Sequence, residues 1–326
     1  MARDPRLAAL LAAVHAEPDD VDARLVYADA LSDAGDPRGE FIALQCGRGD
    51  AGTAGDRERE LLADHSTEWL GRLAPIVDPE GTVFERGFPS AVRVKKVQRP
   101  KLLATAGDPV WATVTRLEFH EAIGGIVVKS GPVVRGARVP AAAILLHPIM
   151  RALRHVTGID GDVLVTLCRE GKSLPIRSIS ASTYPLLHRD HERENDTWQM
   201  EAPARAAIET AVGLPQLSRL VLHGYPCDVP DMMWLVGSPL AGRLECLWLG
   251  NFGGRIDRWA EHALVAHPKL GELVADYWGV ARFTRAADGS LGALEVGAAH
   301  LTPHQRQRID TAIARLPPGI TARIRT

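Results

Sequence analysis

The string HRDHEREN, residues 188–195, matches the H-R-D-x-x-x-x-N pattern of the protein-kinase catalytic loop. In such a loop Asp190 would accept the proton of the substrate hydroxyl and Asn195 would hold magnesium. Phosphoryl transfer also needs a D-F-G magnesium ligand later in the chain and a strand lysine well before the loop. The sequence has no D-F-G, and Lys129 precedes Asp190 by only 61 residues. We therefore interpret the match as a coincidence of composition.

The same string suggests a second chemistry. Between His188 and Glu192 lie two imidazoles and two carboxylates, the groups that bind zinc and similar metals. Solvated clusters of this kind are commoner than metal sites, and no distant ligand accompanies this one, so we expect neither a metal nor a cofactor. A metal-dependent hydrolase that uses His188, Asp190 and His191 stays the alternative function. No G-x-S-x-G, H-E-x-x-H or P-loop is present, and we expect a non-enzymatic protein.

The composition is that of a globular protein of 326 residues, 46% apolar and 24% charged. A formal charge of -2 disfavours a polyanion-binding surface, so we do not expect nucleic acid as the partner. A nucleic-acid binder is nevertheless a third hypothesis, because one basic run exists, although it fits a solvated strand edge better. The run comprises Arg93, Lys95, Lys96, Arg99 and Lys101.

The chain shows the features of a cytoplasmic protein. Its four cysteines have no C-x-x-C spacing, which predicts neither a zinc knuckle nor a disulfide framework and favours a reducing compartment. No apolar run approaches membrane-spanning length, so we expect no membrane partner. The N-terminus imitates a short secretion signal, but its apolar residues have the spacing of an amphipathic helix. Those residues are Leu7, Leu10, Leu11 and Val14.

Three more helices are predicted within the first 75 residues. The second stops at Gly35, and the third begins with Asp36 as N-cap and Pro37 in its first turn. The fourth spans DRERELLADHSTEWLGRL, and we expect its His65 to be packed, not catalytic. The buried stripes are predicted to contain Val21, Leu25, Ala28 and Leu31 in the second helix and Leu61, Leu62, His65, Trp69 and Leu73 in the fourth.

This helical segment resembles the small bacterial repeat-companion (repeat-mate) domain, whose core reads approximately RLVYADWL, GDPRGEFIxLQ and ELLxxHxxxWL. The resemblance implies no enzymatic activity, and it implies that repeats follow, commonly leucine-rich ones. The charges around Asp36 and Arg38 offer an interaction surface, but helix capping and ion pairs explain them better. The matching residues are Arg24, Tyr27, Asp29, Gly35, Asp36, Arg38, Gly39, Glu40, Phe41 and Gln45, and Ala30 replaces the usual Trp.

A degenerate repeat follows. From a first copy that ends at Val94, five of the seven intervals between copies fall within about 20 to 29 residues, the range of leucine-rich repeats. The longest interval, 41 residues, contains the HRDHEREN string, which we interpret as an inserted polar loop at about residues 183–200. The copies are VTRLEF, MRALRH, IRSISA, LSRLVL, LECLWL, LGELVA and LGALEV.

Prolines before the apolar triplets and apolar segments between them predict a strand, a loop and a helix in each unit. Stacked units bury one another's apolar faces. We therefore predict an α/β protein with a helical repeat-companion domain at residues 1–75 and a curved leucine-rich-repeat-like solenoid at 76–326. The strands would form a parallel inner sheet with the helices outside, and the segment that starts at Leu301 would cap the end.

Side chains between the leucines of each triplet point away from the core, because strand residues alternate sides. Trp248 stands in the middle of this inner face, and tryptophan and arginine are frequent binding hot spots. These positions predict an adaptor that binds a partner protein, with oligomeric state and partner identity left open. The predicted contact residues are Arg116, Glu118, Arg219, Val221, Trp248 and Glu272.

Overall fold

The computed structural model describes residues 4–49, 52–120, 140–172, 174–183, 186–189, 198–223, 233–250, 269–276, 280–285, 291–297, 303–315 and 321–325. These residues form a mixed α/β protein with two compact units. The N-terminal unit takes residues 1–123, 130–156 and 173–175, and the C-terminal unit takes the remainder. The domain boundary after residue 75 stays a prediction. In the parts described, no helix is both long and apolar enough to cross a membrane.

The N-terminal unit begins with four helices, and the predicted starts of the third and fourth agree with the structure. An aspartate caps each of the first three: Asp4 accepts from Arg6 N at 2.8 Å, Asp20 from Asp22 N at 2.9 Å and Asp36 from Arg38 N at 2.9 Å. Such side chains satisfy amides that have no partner inside the helix. The helices are α1 (Pro5–Ala16), α2 (Val21–Asp33), α3 (Pro37–Arg48) and α4 (Asp56–Leu70).

The buried face of α2 differs from the predicted one. Leu25, expected in the core, is 37% exposed, whereas Arg24 is only 6% exposed. Ala28 and Leu31 are buried as predicted, and Arg24 and Tyr27 complete the buried face in place of Leu25. The α4 stripe is confirmed, since Leu61, Trp69 and Leu73 are buried. The His65 ring stacks on Trp69 with 5.5 Å between centroids, as expected for a packed histidine.

Arg24 and Arg38 face inward because their guanidinium groups bind a β-hairpin that packs against the helices. Strands β1 (Val83–Glu85) and β2 (Phe88–Val94) are antiparallel and joined by Arg86 and Gly87. Arg24 Nη1 donates to the carbonyl oxygens of Glu85 and Arg86, both at 3.0 Å. Arg38 Nε and Nη2 donate to the Gly87 carbonyl at 3.3 and 3.2 Å. Both guanidinium groups lie over the Phe88 ring, at 5.0 and 4.5 Å from its centroid.

Gln45 completes this hairpin clamp, the set formed by Arg24, Arg38 and Gln45. Its Oε1 accepts from Gly87 N at 2.7 Å, and its Nε2 donates to the Phe84 carbonyl at 3.1 Å and to Glu58 Oε1 at 2.8 Å. Gly87 has φ of 82°, and a Cβ there would lie 2.0 Å from Ile42 Cγ1. Only glycine therefore allows the hairpin to approach α3 this closely.

Two further strands follow the hairpin in the chain. β3 (Arg116–Phe119) pairs parallel with β2 in the register Val92↔Leu117. The copy MRALRH was predicted to be a strand, but the strand β4 begins where that copy ends, at His155–Ile159. Met150 and Leu153 are fully buried in the turn before it, so their apolar spacing reflects burial and not a strand. Helices α5 (Arg99–Leu103) and α6 (Pro140–Leu145) flank these strands in sequence.

The C-terminal unit contains a seven-stranded, mostly parallel sheet in the order β5-β8-β9-β10-β11-β12-β13. The copies IRSISA, LSRLVL, LECLWL and LGELVA form β5, β8, β9 and β10, which pair parallel without stagger, as predicted. The next pairs, β10 with β11 and β11 with β12, are antiparallel, and β12 with β13 is parallel again. The bounds are β5 (Ser178–Ser182), β8 (Arg219–His223), β9 (Cys246–Gly250), β10 (Glu272–Asp276), β11 (Val280–Arg285), β12 (Leu291–Gly297) and β13 (Thr321–Arg325).

Two strands of this sheet were not predicted. β11 replaces the helix expected between the last two copies, and β13 follows the helix that was expected to end the chain as a cap. The inserted segment contains a hairpin of β6 (Leu187–Arg189) and β7 (Trp198–Met200). The segment between the copies LECLWL and LGELVA, where the repeat pattern predicts a helix, lies mostly outside the described residues. The remaining helices are α7 (Gly161–Glu170), α8 (Ala202–Thr210), α9 (Met233–Val236) and α10 (Pro303–Ile313).

Candidate functional site

The sheet of the C-terminal unit has one leucine face and one mixed face. Leu220, Leu222, Leu247 and Leu249 are all fully buried. The residues between them alternate to the opposite side, as the pleat of a strand requires. We call that opposite side, carried by β5 and β8 to β10, the mixed face. It contains four of the six predicted contact residues, Arg219, Val221, Trp248 and Glu272, together with Cys246.

One row of the mixed face holds a charge cluster. Arg219, Cys246 and Glu272 are register partners on three successive strands. Arg219 Nη1 lies 3.7 Å from Glu272 Oε2, so the ion pair passes over the small Cys246 side chain. Arg282 of β11 approaches the same carboxylate from the other side, with 3.1 Å between its Nε and Glu272 Oε1. Two arginines therefore share one carboxylate, and Glu295 of β12 is the register partner of Arg282.

Cys246 is not a nucleophile in this setting. Its Sγ donates to Glu272 Oε2 at 3.2 Å, and only 6% of the residue is exposed. Burial and the hydrogen bond to Glu272 raise the pKa of the thiol to about 12. Because the thiolate is the reactive form, Cys246 is inert near neutral pH. Cys46 and Cys168 are also free thiols.

Trp248 lies in the next row, between Val221 on β8 and Val274 on β10. The tryptophan is half-buried, whereas Val221 is only 8% exposed and contributes little to the surface. The indole Nε1 is buried, and within the described residues it has no hydrogen-bond partner. A buried donor without an acceptor lowers the stability of the fold by about 1–3 kcal/mol.

The mixed face also contains a pair that the sequence argument did not single out. Ser180 Oγ lies 3.1 Å from His223 Nε2, and the contact is exposed. Gly250 packs close to the other ring nitrogen, since a Cβ there would lie 3.2 Å from His223 Nδ1. A serine–histidine contact needs a third group that orients the imidazole before it resembles a catalytic triad, and the described part of the chain supplies none. The pair extends the polar surface beside Trp248.

Arg116 and Glu118 belong to the N-terminal unit and are engaged in ion pairs there. Arg116 Nη2 lies 3.4 Å from Glu85 Oε1, and Arg93 Nε lies 3.0 Å from Glu118 Oε1. Arg93 also approaches Asp78 at 3.5 Å. The predicted contact residues therefore fall on two separately described units. Two acidic neighbours also compensate the charge of Arg93, the first member of the basic run.

The charges of the helical segment act as caps and pairs, as expected. Asp36 caps α3, and Glu40 forms a bidentate pair with Arg57, with both distances between 2.8 and 2.9 Å. Arg38 belongs to the hairpin clamp and is not part of an exposed surface. The hairpin clamp was not predicted. Arg24, Arg38 and Gln45 were recognised as motif residues, but the sequence does not indicate that the hairpin is their partner.

The inserted segment gives no site within the residues described. His188 lies on β6, whereas Asp190, His191 and Glu192 fall outside the described residues. No group of three or more histidine, cysteine, aspartate or glutamate side chains that could hold a metal occurs in the described ranges.

The sequence matches no known family, no curated protein and no solved structure. Function therefore has to be argued from the geometry.

Proposed function

We propose that this chain is a non-enzymatic adaptor that binds a partner protein through the mixed face, with Trp248 as the central contact. The proposal includes a repeat-companion domain at the N-terminus and a leucine-rich-repeat-like solenoid after it. Such a protein presents a broad docking surface, because repeated units expose equivalent positions side by side. The observation that carries the proposal is the partly exposed Trp248 ring beside the charged pair of Arg219 and Glu272.

A recurring hydrogen-bond pattern supports the repeat part of the proposal. The Arg177 carbonyl accepts from Ser218 N and Arg219 N, both at 2.9 Å. The Ser218 carbonyl accepts in the same way from the next strand, and the Glu245 carbonyl from the one after it. Stacked copies of one unit are expected to repeat the same hydrogen bonds at the start of each strand, and these strands do so.

The energetics of interfaces favour Trp248 as the anchor. Tryptophan and arginine dominate the few interface residues that carry most binding energy, and exposed aromatic surface on a sheet face is a common recognition feature. The indole Nε1 is buried, so a partner would contact the exposed part of the Trp248 ring and not its N–H.

The charge cluster beside Trp248 would affect the orientation of the partner more than its affinity. Arg219 and Glu272 keep 43% and 28% of their side chains exposed, so water screens their pair. Charges at the rim of an interface mainly affect the association rate and exclude partners of the wrong sign. We expect a partner surface with an apolar centre opposite Trp248 and a charged rim opposite Arg219 and Glu272.

Site-specific photo-cross-linking in the native cell tests the proposal. A photoreactive amino acid at His223, exposed on the mixed face, should give a discrete cross-linked protein, whereas the same amino acid at Val212, which is 62% exposed and lies after α8, should not. Equal cross-linking from both positions would argue against a specific face. Stoichiometric metal in the purified protein that disappears in His191→Ala would instead favour the hydrolase.

A further inference from the structure

A cavity of about 440 Å³ lies in the N-terminal unit beside the hairpin clamp. Its walls come from the loop before α2, the end of α3, the β1–β2 turn and the segment before β3. The volume is within the range of small-molecule sites, but the lining is much more polar than usual. Its charged residues are Asp19, Arg24, Arg48, Glu85 and Arg86.

The acidic residues of the lining have basic neighbours outside it. Glu85 pairs with Arg116 at 3.4 Å, and Asp19 lies 3.8 Å from Arg154. Within the lining, Arg48 is compensated by the buried Glu58, with 3.1 Å between Nη2 and Oε1. None of these pairs compensates Arg24, so among the described residues its charge remains in excess.

Arg24 is the source of that excess. It is 6% exposed, and within the described residues its hydrogen bonds all go to neutral carbonyls, those of Pro18, Glu85 and Arg86. In the part of the chain that the structure describes, no carboxylate lies within 4 Å of its guanidinium group. Burial lowers the pKa of Arg24, which reflects a cation held in a poorly solvating place. An anion in the adjoining cavity would compensate this charge.

Arg86 lines the same cavity and has a strained backbone conformation. It is the first residue of a two-residue hairpin turn and has φ of 52°, a left-handed conformation that asparagine or glycine adopts more easily. Backbone strain of this kind persists where the side chain has a use. Arginine at this turn position places a second cationic residue in the cavity wall beside Arg24.

We propose that this cavity binds a small molecule that carries an oxyanion, a phosphate or a carboxylate, with Arg24 and Arg86 as its cationic contacts. Arginine keeps its charge and can donate to both kinds of oxyanion. Arg24 already donates from Nε, Nη1 and Nη2 to carbonyls, so it contributes mainly its charge. The site belongs to the N-terminal unit and does not depend on the proposed protein partner. The protein would then bind a small ligand next to the hairpin that its helices hold.

Thermal unfolding of the full chain tests this proposal with inorganic phosphate and succinate as probes and sodium chloride at matched ionic strength as reference. We expect a saturable rise in Tm with at least one probe beyond the effect of chloride. Arg86→Asn suits the left-handed turn better, so it should raise the Tm without anion and yet weaken the apparent affinity at least tenfold. Arg59→Asn, on the exposed side of α4, is the matched control and should leave the affinity unchanged.

Two results would overturn the proposal: a wild-type response no larger than that to chloride, or an Arg86→Asn variant that binds the probe as tightly as wild type. A response to phosphate alone would assign a phosphate ester as the ligand class. A response to succinate alone would assign a carboxylic acid. Circular dichroism of each variant verifies that it is folded before affinities are compared.

Discussion

Replacing Gln45 with leucine tests whether the hairpin clamp holds the N-terminal unit together. Gln45 is 3% exposed and has one hydrogen bond to Gly87 N, one to the Phe84 carbonyl and one to Glu58. Leucine has a similar volume and none of these polar atoms. The substitution thus removes the partners while changing the packing little.

The expected loss follows from the groups left without partners. Glu58 keeps Arg48, but Gly87 N and the Phe84 carbonyl lose the Gln45 side chain. Each buried group without a partner costs about 1–3 kcal/mol, so the two together predict about 2–6 kcal/mol. That is a large part of the roughly 5–15 kcal/mol that stabilises a typical domain.

Urea unfolding followed by circular dichroism measures this loss. Gln98→Leu is the control in the same unit, because Gln98 is exposed and its side chain makes no capping hydrogen bond. We expect the control to stay within about 0.5 kcal/mol of wild type. A Gln45→Leu variant equally close to wild type would refute the idea that the clamp stabilises the fold.

Three further predictions follow from the same structure. Gly87→Ala should destabilise the N-terminal unit by about 1–3 kcal/mol or more in urea unfolding, since its Cβ would meet Ile42; an unchanged midpoint would contradict the close approach. Burial, then Arg38, lowers the pKa of His15 from 6.5 to about 4, so only the unfolded chain binds the proton between these values, and wild type should lose up to about 3 kcal/mol as pH falls through this range. His15→Leu should lose correspondingly less, and equal slopes would contradict the assignment. Cys168 and Cys246, with thiol pKa values raised to about 12, should react with iodoacetamide at pH 8 only after unfolding, as read by peptide mass spectrometry.

Local signals predicted much of the fold because they act over a few residues. Asp36 and Pro37 determined the start of α3, and the leucine triplets located β8, β9 and β10. The copy MRALRH was wrongly predicted to be a strand. Met150 and Leu153 are buried in a turn, where the spacing of apolar residues does not indicate a strand. β11 was missed because an antiparallel strand needs only a short connection, and the spacing of the copies does not reveal it.

The site was predicted less completely, since contacts between distant residues decide it. The alternation of side chains placed Arg219, Trp248 and Glu272 on one face, but nothing in the sequence indicated that Arg282 would join them. The burial of Arg24 was hidden for the same reason. Its partners, the carbonyls of Glu85 and Arg86, lie about 60 residues away in the chain and carry no side-chain signal.

The affinity of the cross-linked partner for Trp248→Ala tests the central proposal most directly. Isothermal titration with the purified partner should show binding weakened by at least tenfold, since a hot-spot tryptophan contributes about 2 kcal/mol or more. Trp234→Ala is the matched control: Trp234 belongs to α9, stacks with Arg205 at 5.2 Å and should retain wild-type affinity. A folded Trp248→Ala protein that binds with unchanged affinity would contradict the assignment of the mixed face as the binding surface.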